Sequence, residues 1–386
     1  MADRQVAVVW EHPYMLGVVA LGRAGKAIFG GRNGMSASVT VDPRRYHESV
    51  REARTASALR PPVCLYLEVT NRCNLLCTTC PRTYEALEPP ADLSWDLFTR
   101  IVDQVPDLAR AVLHGVGEPM LVKDLPRMVK YLKERGVYVL FNTNGTVLNT
   151  RNGRALIEAG LDELRVSLDA SNRESFKTIR GADYFNRITR NVRAFRDLQK
   201  RDGIDRPLVS LWLTGLKETI RELPAFVRIA ADLGVREVYL QRLVFFDQAA
   251  IGIARPDQAL FDNMTRDEAI YLDEAADLAR SLGIAFSASG AASEPGLSLK
   301  RADDSSPWSL CRRPWSLMYF TANGRALPCC IAPFSLHGYE NYTLGDATKQ
   351  SLEDIWNGPA YQAFRAALLS DRPPATCANC GLRWSL

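Results

Sequence analysis

Cys73, Cys77 and Cys80 stand at the spacing C-x3-C-x2-C, immediately after an apolar run over residues 63–70. Thiolates are soft ligands suited to iron–sulfur clusters and to zinc. A loop this short can wrap three sulfurs around one cluster. Three ligands leave the fourth iron of a four-iron cluster open, and an open iron can chelate a small molecule and activate it reductively. A structural zinc site usually draws four ligands in two pairs, and the first spacing here does not fit that pattern.

A second cysteine set lies near the C-terminus: Cys311, Cys329, Cys330, Cys377 and Cys380. Cys377-x2-Cys380 is a usual ligand pair. Asn323-Gly324 between two apolar runs signals a hairpin, which would bring Cys311 and Cys329 into one neighbourhood. If Cys329 and Cys330 continue that strand they point to opposite faces, so Cys330 is not expected to share a metal site with Cys329. Cys64 reads as core.

Strands and helices must position these residues. From residue 61 the chain repeats apolar strand, polar turn and amphipathic helix. Strands are predicted at 63–70, 110–115, 137–142, 163–168, 208–214 and 237–243. Helices are predicted at 95–105, 125–135, 151–159, 184–201 and 220–233. Gly136, Gly160 and Gly234 each follow a helix, where a left-handed cap is wanted. Such units imply an α/β fold with a parallel sheet covered by helices. Six strands are too few for a closed eight-stranded barrel, so an open, partial (β/α)6 barrel is expected, with its chemistry at the C-terminal strand ends. A further helix over 265–282 and a short strand over 284–289 follow.

The other strand ends carry polar motifs. They are His114-Gly115-Val116-Gly117-Glu118-Pro119, Asn142-Thr143-Asn144-Gly145 and Ser167-Leu168-Asp169. Trp212, Gln241, Arg242 and the loop 244–261, with Phe245, Phe246 and Asp247, are candidates to shape a substrate pocket. Tyr66, Glu68 and Thr70 alternate on one face of the first strand, which places Glu68 under the cysteine loop.

The cysteine spacing, its flank Glu68-Val-Thr-Asn-Arg-Cys73 and the ordered strand-end motifs resemble the radical S-adenosylmethionine (radical SAM) superfamily. The resemblance implies that Cys73, Cys77 and Cys80 hold a [4Fe-4S] cluster whose open iron binds the amino and carboxylate groups of SAM. One electron then splits SAM, and the resulting 5′-deoxyadenosyl radical abstracts hydrogen from substrate. Gly115, Gly117, Glu118 and Pro119 match the family's Gly-Glu-Pro motif, which contacts the SAM amino group. Asn142, Asn144, Ser167 and Asp169 fall where further SAM contacts, including those to ribose, are made. The residue before the third cysteine, usually large in the family, is Thr79.

The C-terminal part resembles the twitch domain, a shortened SPASM domain, through Cys311, Gly324-x4-Cys329 and Cys377-x2-Cys380. That implies a second, fully ligated [4Fe-4S] cluster for electron transfer or structure. The layout is most similar to twitch dehydrogenases that oxidise an aminocyclitol, so a two-electron oxidation of a small sugar- or cyclitol-like molecule is expected. Glu68, Arg242 and Cys330 are the candidate catalytic residues, Cys330 as a hydrogen donor should the reaction be redox-neutral. The alternatives are an epimerase, dehydratase or decarboxylase, a peptide-modifying SPASM-type enzyme, or an iron–sulfur electron carrier. An external one-electron reductant such as a flavodoxin or ferredoxin is expected as partner.

Length and composition bound the rest. The 386 residues suit one large domain plus a smaller one. The expected division is an N-terminal extension over 1–60, a barrel over 61–290, a Ser/Ala/Asp-rich linker over 291–306 and the cluster domain over 307–386. The extension, with six glycines between residues 17 and 34, reads as an arm packed on the main domain. A net charge of +4 without a dense basic block disfavours nucleic acid. No apolar run approaches the ~18 residues of a membrane span. Nine cysteines in a chain without a recognisable signal peptide imply a reducing compartment and a cytoplasmic protein.

Overall fold

The computed structural model describes residues 53–84, 88–243, 256–260, 264–289, 308, 311–335 and 342–378, all within the unit Thr40–Leu386. The glycine-rich N-terminal arm, Phe245, Phe246 and Asp247, the linker 291–306 and Cys380 lie outside the described residues.

The chain alternates strand and helix much as its apolar pattern requires. In order come β1 (Cys64–Leu67), α1 (Trp95–Val102), β2 (Arg110–Val112), α2 (Leu125–Lys133), β3 (Tyr138–Thr143), α3 (Thr150–Glu158) and β4 (Glu163–Ser167). Two successive helices follow, α4 (Arg173–Arg180) and α5 (Phe185–Asp202), of which the sequence pattern predicts only the second. Then come β5 (Leu208–Gly215), α6 (Leu223–Asp232), β6 (Glu237–Arg242), α7 (Arg266–Ser281) and β7 (Ala285–Ala288). The C-terminal part holds β8 (Leu317–Phe320), β9 (Arg325–Leu327), α8 (Ala332–Ser335), β10 (Gly345–Asp346), α9 (Leu352–Trp356), α10 (Pro359–Leu368) and α11 (Ala375–Ala378).

Local chemistry sets the helix limits. The Ser94 side chain accepts from the Leu97 amide to start α1, and Thr265 and Glu268 form a reciprocal capping box on α7. Phe98, Ile101 and Val102 of α1 and Met128, Val129 and Leu132 of α2 are buried on the outer face of the sheet. They meet Leu65, Leu67 and Val69 there, in one continuous core. Truncating a side chain such as Phe98 to Ala would cost about 3–5 kcal/mol.

Among the described residues the strands form one ten-stranded sheet, ordered β10-β9-β8-β1-β2-β3-β4-β5-β6-β7. Strands β1 to β7 are parallel neighbours in sequence order. The six predicted barrel strands form, and the short strand expected at 284–289 joins them as β7. β8 was not expected in this sheet: it pairs parallel with β1, Cys64 opposite Leu317 and Leu67 opposite Phe320. The Asn323-Gly324 hairpin forms as predicted, with β9 antiparallel to β8 and Gly324 at φ +85°. The hairpin therefore extends the barrel sheet. No helix among the described residues is long and apolar enough to cross a membrane.

Candidate active site

The cysteine loop leaves β1 at one end of the sheet and is pinned from three directions. The Thr78 amide donates to the Ile179 carbonyl at 2.8 Å. The Thr83 hydroxyl donates to the Cys77 carbonyl at 2.8 Å. The Asn74 amide group donates to the Thr146 hydroxyl at 2.8 Å. Gly181 caps α4 at φ +73°, and a Cβ there would meet the Leu76 carbonyl oxygen at 2.5 Å, so only glycine lets α4 approach the loop this closely.

The three thiols are electrostatic neighbours. Burial pushes the Cys80 thiol up to about 12, and Cys77 and Cys73 add to the shift. Burial likewise raises Cys73, with Glu118 and Cys77 contributing. Three ionised sulfurs this close need a compensating positive charge, and coordinated iron supplies it. Protein donors favour the same outcome. Arg180 Nη1 lies 3.6 Å from Cys77 Sγ, and Asn144 Nδ2 lies 3.9 Å from Cys73 Sγ. The donor set fits an iron–sulfur cluster.

The strand-end motifs chiefly brace one another. Glu118 is 2 % exposed, and its Oε1 accepts from the Met120 amide at 3.0 Å and the Thr143 hydroxyl at 2.7 Å. Its Oε2 accepts from the Asn144 amide at 2.6 Å. Burial raises its pKa against the pull of these donors. A carboxylate so engaged has little capacity left for a ligand ammonium, and the backbone of the same turn is the remaining candidate. The turn's glycines serve packing as well: a Cβ on Gly117 would meet the Thr70 carbonyl oxygen at 2.2 Å, and one on Gly115 would meet Glu68 Oε2 at 2.1 Å. Pro119 opens the short 3-10 turn Pro119–Leu121 that Glu118 caps. Asn144 donates to Asn74 Oδ1 at 2.8 Å and accepts from the Thr146 amide and hydroxyl.

Asp169 is committed too. Held at φ +58°, it accepts from the Thr214 amide at 2.7 Å and from Arg180 Nη2 at 2.6 Å. Asp169 therefore aims Arg180 at the cysteine loop, in place of the ribose contact expected of it. Burial works against the Arg180 charge, but Asp169 and Cys77 outweigh it and hold its pKa above the ordinary value. Sequence reasoning missed Arg180, because α4 went unrecognised. Two predicted contacts keep open capacity. Asn142 gives its backbone N–H to His114 Nδ1 at 3.1 Å, while its Oδ1 is buried without a hydrogen-bond partner among the described residues. Ser167 is half-buried at the end of β4.

Among the candidate catalytic residues, Glu68 is 3 % exposed and closed over. It accepts from the Val116 amide at 2.9 Å, the Tyr319 hydroxyl at 2.9 Å and the Ala322 amide at 3.2 Å. It ties β1 to the β8–β9 hairpin and is not presented to a substrate. Arg242 shares its strand parity with Val238 and Leu240, which belong to the core beneath the helices. Gln241, Tyr239 and Glu237 take the opposite face. Period-2 alternation thus sets Arg242 apart from the inner face to which it was assigned.

The inner face is polar. Arg165 pairs with Glu163 at 2.6 Å and lies over the Trp212 ring at 4.4 Å, which stacks on Tyr239 at 4.0 Å. Burial, with Arg165 and Arg110 adding, lowers His114 to about 3, so its imidazole is neutral. Burial raises Glu237 to about 7, with Glu163 contributing.

Cys311, Cys329 and Cys377 line one cavity together with Arg313 and Pro314. Burial pushes the Cys329 thiol up to about 12, Arg313 opposing, with Cys330 and Cys311 adding to the rise. β9 ends at Leu327, so Cys329 and Cys330 occupy a turn and strand alternation does not separate them. Cys330 packs against the cluster of Tyr319, Leu327 and Ala332, where Tyr66 also lies. Cys64 is buried, as expected.

Residues 67–230 match the family described as the radical SAM superfamily, and residues 311–381 match SPASM, an iron-sulfur cluster-binding domain. The chain is 27% identical over 335 residues to a PqqA peptide cyclase of Granulibacter bethesdensis, covering 85% of this chain and 82% of that protein. It is 25% identical over 332 residues to the tungsten-containing aldehyde ferredoxin oxidoreductase cofactor-modifying protein of Pyrococcus furiosus, covering 83% and 87%. Its fold is similar to Streptococcus suis SuiB bound to S-adenosylmethionine, with a TM-score of 0.62 and 16% identity over 79% of this chain and 68% of that one. With both domain matches in the expected order, the chain carries a radical SAM domain over residues 67–230 and a C-terminal SPASM-type domain over residues 311–381, so [4Fe-4S] clusters and SAM are its cofactors.

Proposed function

We propose that this enzyme modifies a peptide, joining or oxidising its side chains with loss of two hydrogens. The observation that carries the substrate class is the match to a PqqA peptide cyclase, which runs through both domains and most of each chain. The sugar- or cyclitol-like substrate suggested by the sequence has less support.

When bound, the cofactors supply hydrogen-atom abstraction and an acceptor for one further electron. We assign Cys73, Cys77 and Cys80 to the first cluster, and Cys311, Cys329, Cys377 and Cys380 to the second. Arg180, steered by Asp169, holds positive charge beside the first site. Asn142 Oδ1 offers a buried acceptor with no partner among the described residues. The polar inner face, with Arg165, Tyr239 and Trp212, suits a peptide side chain carrying hydrogen-bonding groups. An external one-electron reductant feeds the first site.

The test is anaerobic incubation of the two-cluster enzyme with SAM, a chemical reductant and short peptides encoded beside its gene. A peptide two mass units lighter, formed with 5′-deoxyadenosine, is expected. 5′-Deoxyadenosine formed with an unaltered peptide, together with turnover of a cyclitol, would overturn the reading.

A further inference from the structure

Arg313 is the buried cation of the C-terminal thiol site. It lies two residues after Cys311, on the short 3-10 turn Arg313–Trp315, and is 5 % exposed. It lines the same cavity as Cys311, Cys329 and Cys377. Its backbone N–H donates to the Cys311 thiol. Its guanidinium lies within electrostatic reach of Cys330, Cys329 and Cys311, and of Tyr66 on the barrel side. A second guanidinium approaches from outside, where Arg54 Nη1 donates to the Cys311 carbonyl at 3.2 Å.

A cluster held by thiolates is anionic and gains one more negative charge on reduction. Its potential depends on net charge, on hydrogen bonds to sulfur and on exposure. A fixed positive charge in a site shielded from water favours the reduced form far more than the same charge in water would. Arginine suits this role because it stays protonated even when buried. We infer that Arg313 sets the reduction potential of the C-terminal cluster, holding it above the value its thiolates alone would give and making the site a better electron acceptor. Arg313 is thereby a positioning residue of charge, not a ligand. The inference rests on the assignment of Cys311, Cys329 and Cys377 as ligands proposed above.

The test is a redox titration followed by electron paramagnetic resonance on the anaerobic holoenzyme, with iron counted beforehand, for wild type, Arg313→Gln and Arg313→Lys. With two clusters retained, Arg313→Gln is expected to lower the reduced-to-oxidised ratio of the C-terminal cluster about tenfold at fixed potential, a shift of ~59 mV for one electron. Arg313→Lys should stay within about threefold of wild type, and the first cluster should not move in either variant. An unchanged C-terminal midpoint in Arg313→Gln overturns the inference. If that variant fails to hold the second cluster, Arg313→Lys decides, and a tenfold loss there, or loss of its cluster, overturns it equally. A wild-type enzyme that binds only one cluster defeats the ligand assignment itself, and is recognised from the iron count before any titration.

Discussion

The Tyr319 hydroxyl donates a 2.9 Å hydrogen bond to Glu68 Oε2 across 251 residues of sequence. Both groups are buried, so this bond helps to hold the β8–β9 hairpin to the strand that leads into the cysteine loop. Tyr319→Phe should cost about 1–3 kcal/mol, the range for leaving a buried polar group short of a partner. Urea denaturation would measure it, and a midpoint equal to wild type would show that the bond contributes nothing.

The same carboxyl makes stability depend on pH. Burial raises its pKa from 4.5 to about 7, against the pull of the Val116, Ala322 and Tyr319 donors. Between those values the folded chain keeps a proton that the unfolded chain has released, so stability from this group falls as pH rises through the window and levels off above it. Glu68→Gln cannot titrate. Its stability relative to wild type should therefore improve from pH 4.5 to 7, and a constant difference across that range would contradict the raised pKa.

Glu118→Ala would strand the Asn144 and Met120 amides and the Thr143 hydroxyl. The expected result is a loss of about 1–3 kcal/mol in stability together with looser SAM binding, because Asn144 also braces the cysteine loop. Weakened SAM affinity in a protein of unchanged stability would instead mark Glu118 as a direct contact.

Gly117→Ala forces a Cβ to within 2.2 Å of the Thr70 carbonyl oxygen. Backbone must shift next to the cysteine loop, so purified protein should carry less iron, with the deficit confined to the first site. Full iron content would mean that the turn yields elsewhere.

Replacing Cys73, Cys77 and Cys80 together by Ala should leave one cluster and abolish reductive cleavage of SAM. Cleavage at the wild-type rate in that variant would remove the assignment of the first site.

Much of this organisation is legible in the sequence because it is local. The cysteine spacing, the order of strand-end motifs and the Asn323-Gly324 turn depend on residues that are neighbours in the chain. Predicted strands fall within a few residues of the observed ones. What escapes is non-local. Nothing in Leu317–Phe320 announces a parallel partner in β1, since an apolar run is compatible with either sheet neighbour. The commitments of Glu68, Glu118 and Asp169 also escape. A carboxylate beside a glycine reads the same whether it meets a ligand or three protein donors. Arg180 was hidden because Arg173–Arg180 is a helix of only 8 residues, mostly polar, whose two buried positions, Phe176 and Ile179, are too few to mark a helix in so short a run.

The parallel pairing of β8 with β1 sets an order of assembly. β1 emerges early during synthesis, yet one of its edges stays unsatisfied until the hairpin leaves the ribosome. An open apolar strand edge invites pairing with other chains. The C-terminal segment thus acts as a seal on the nascent barrel, and a chain cut short before Leu317 would keep every residue of the first cluster loop while leaving the strand that presents it exposed to aggregation.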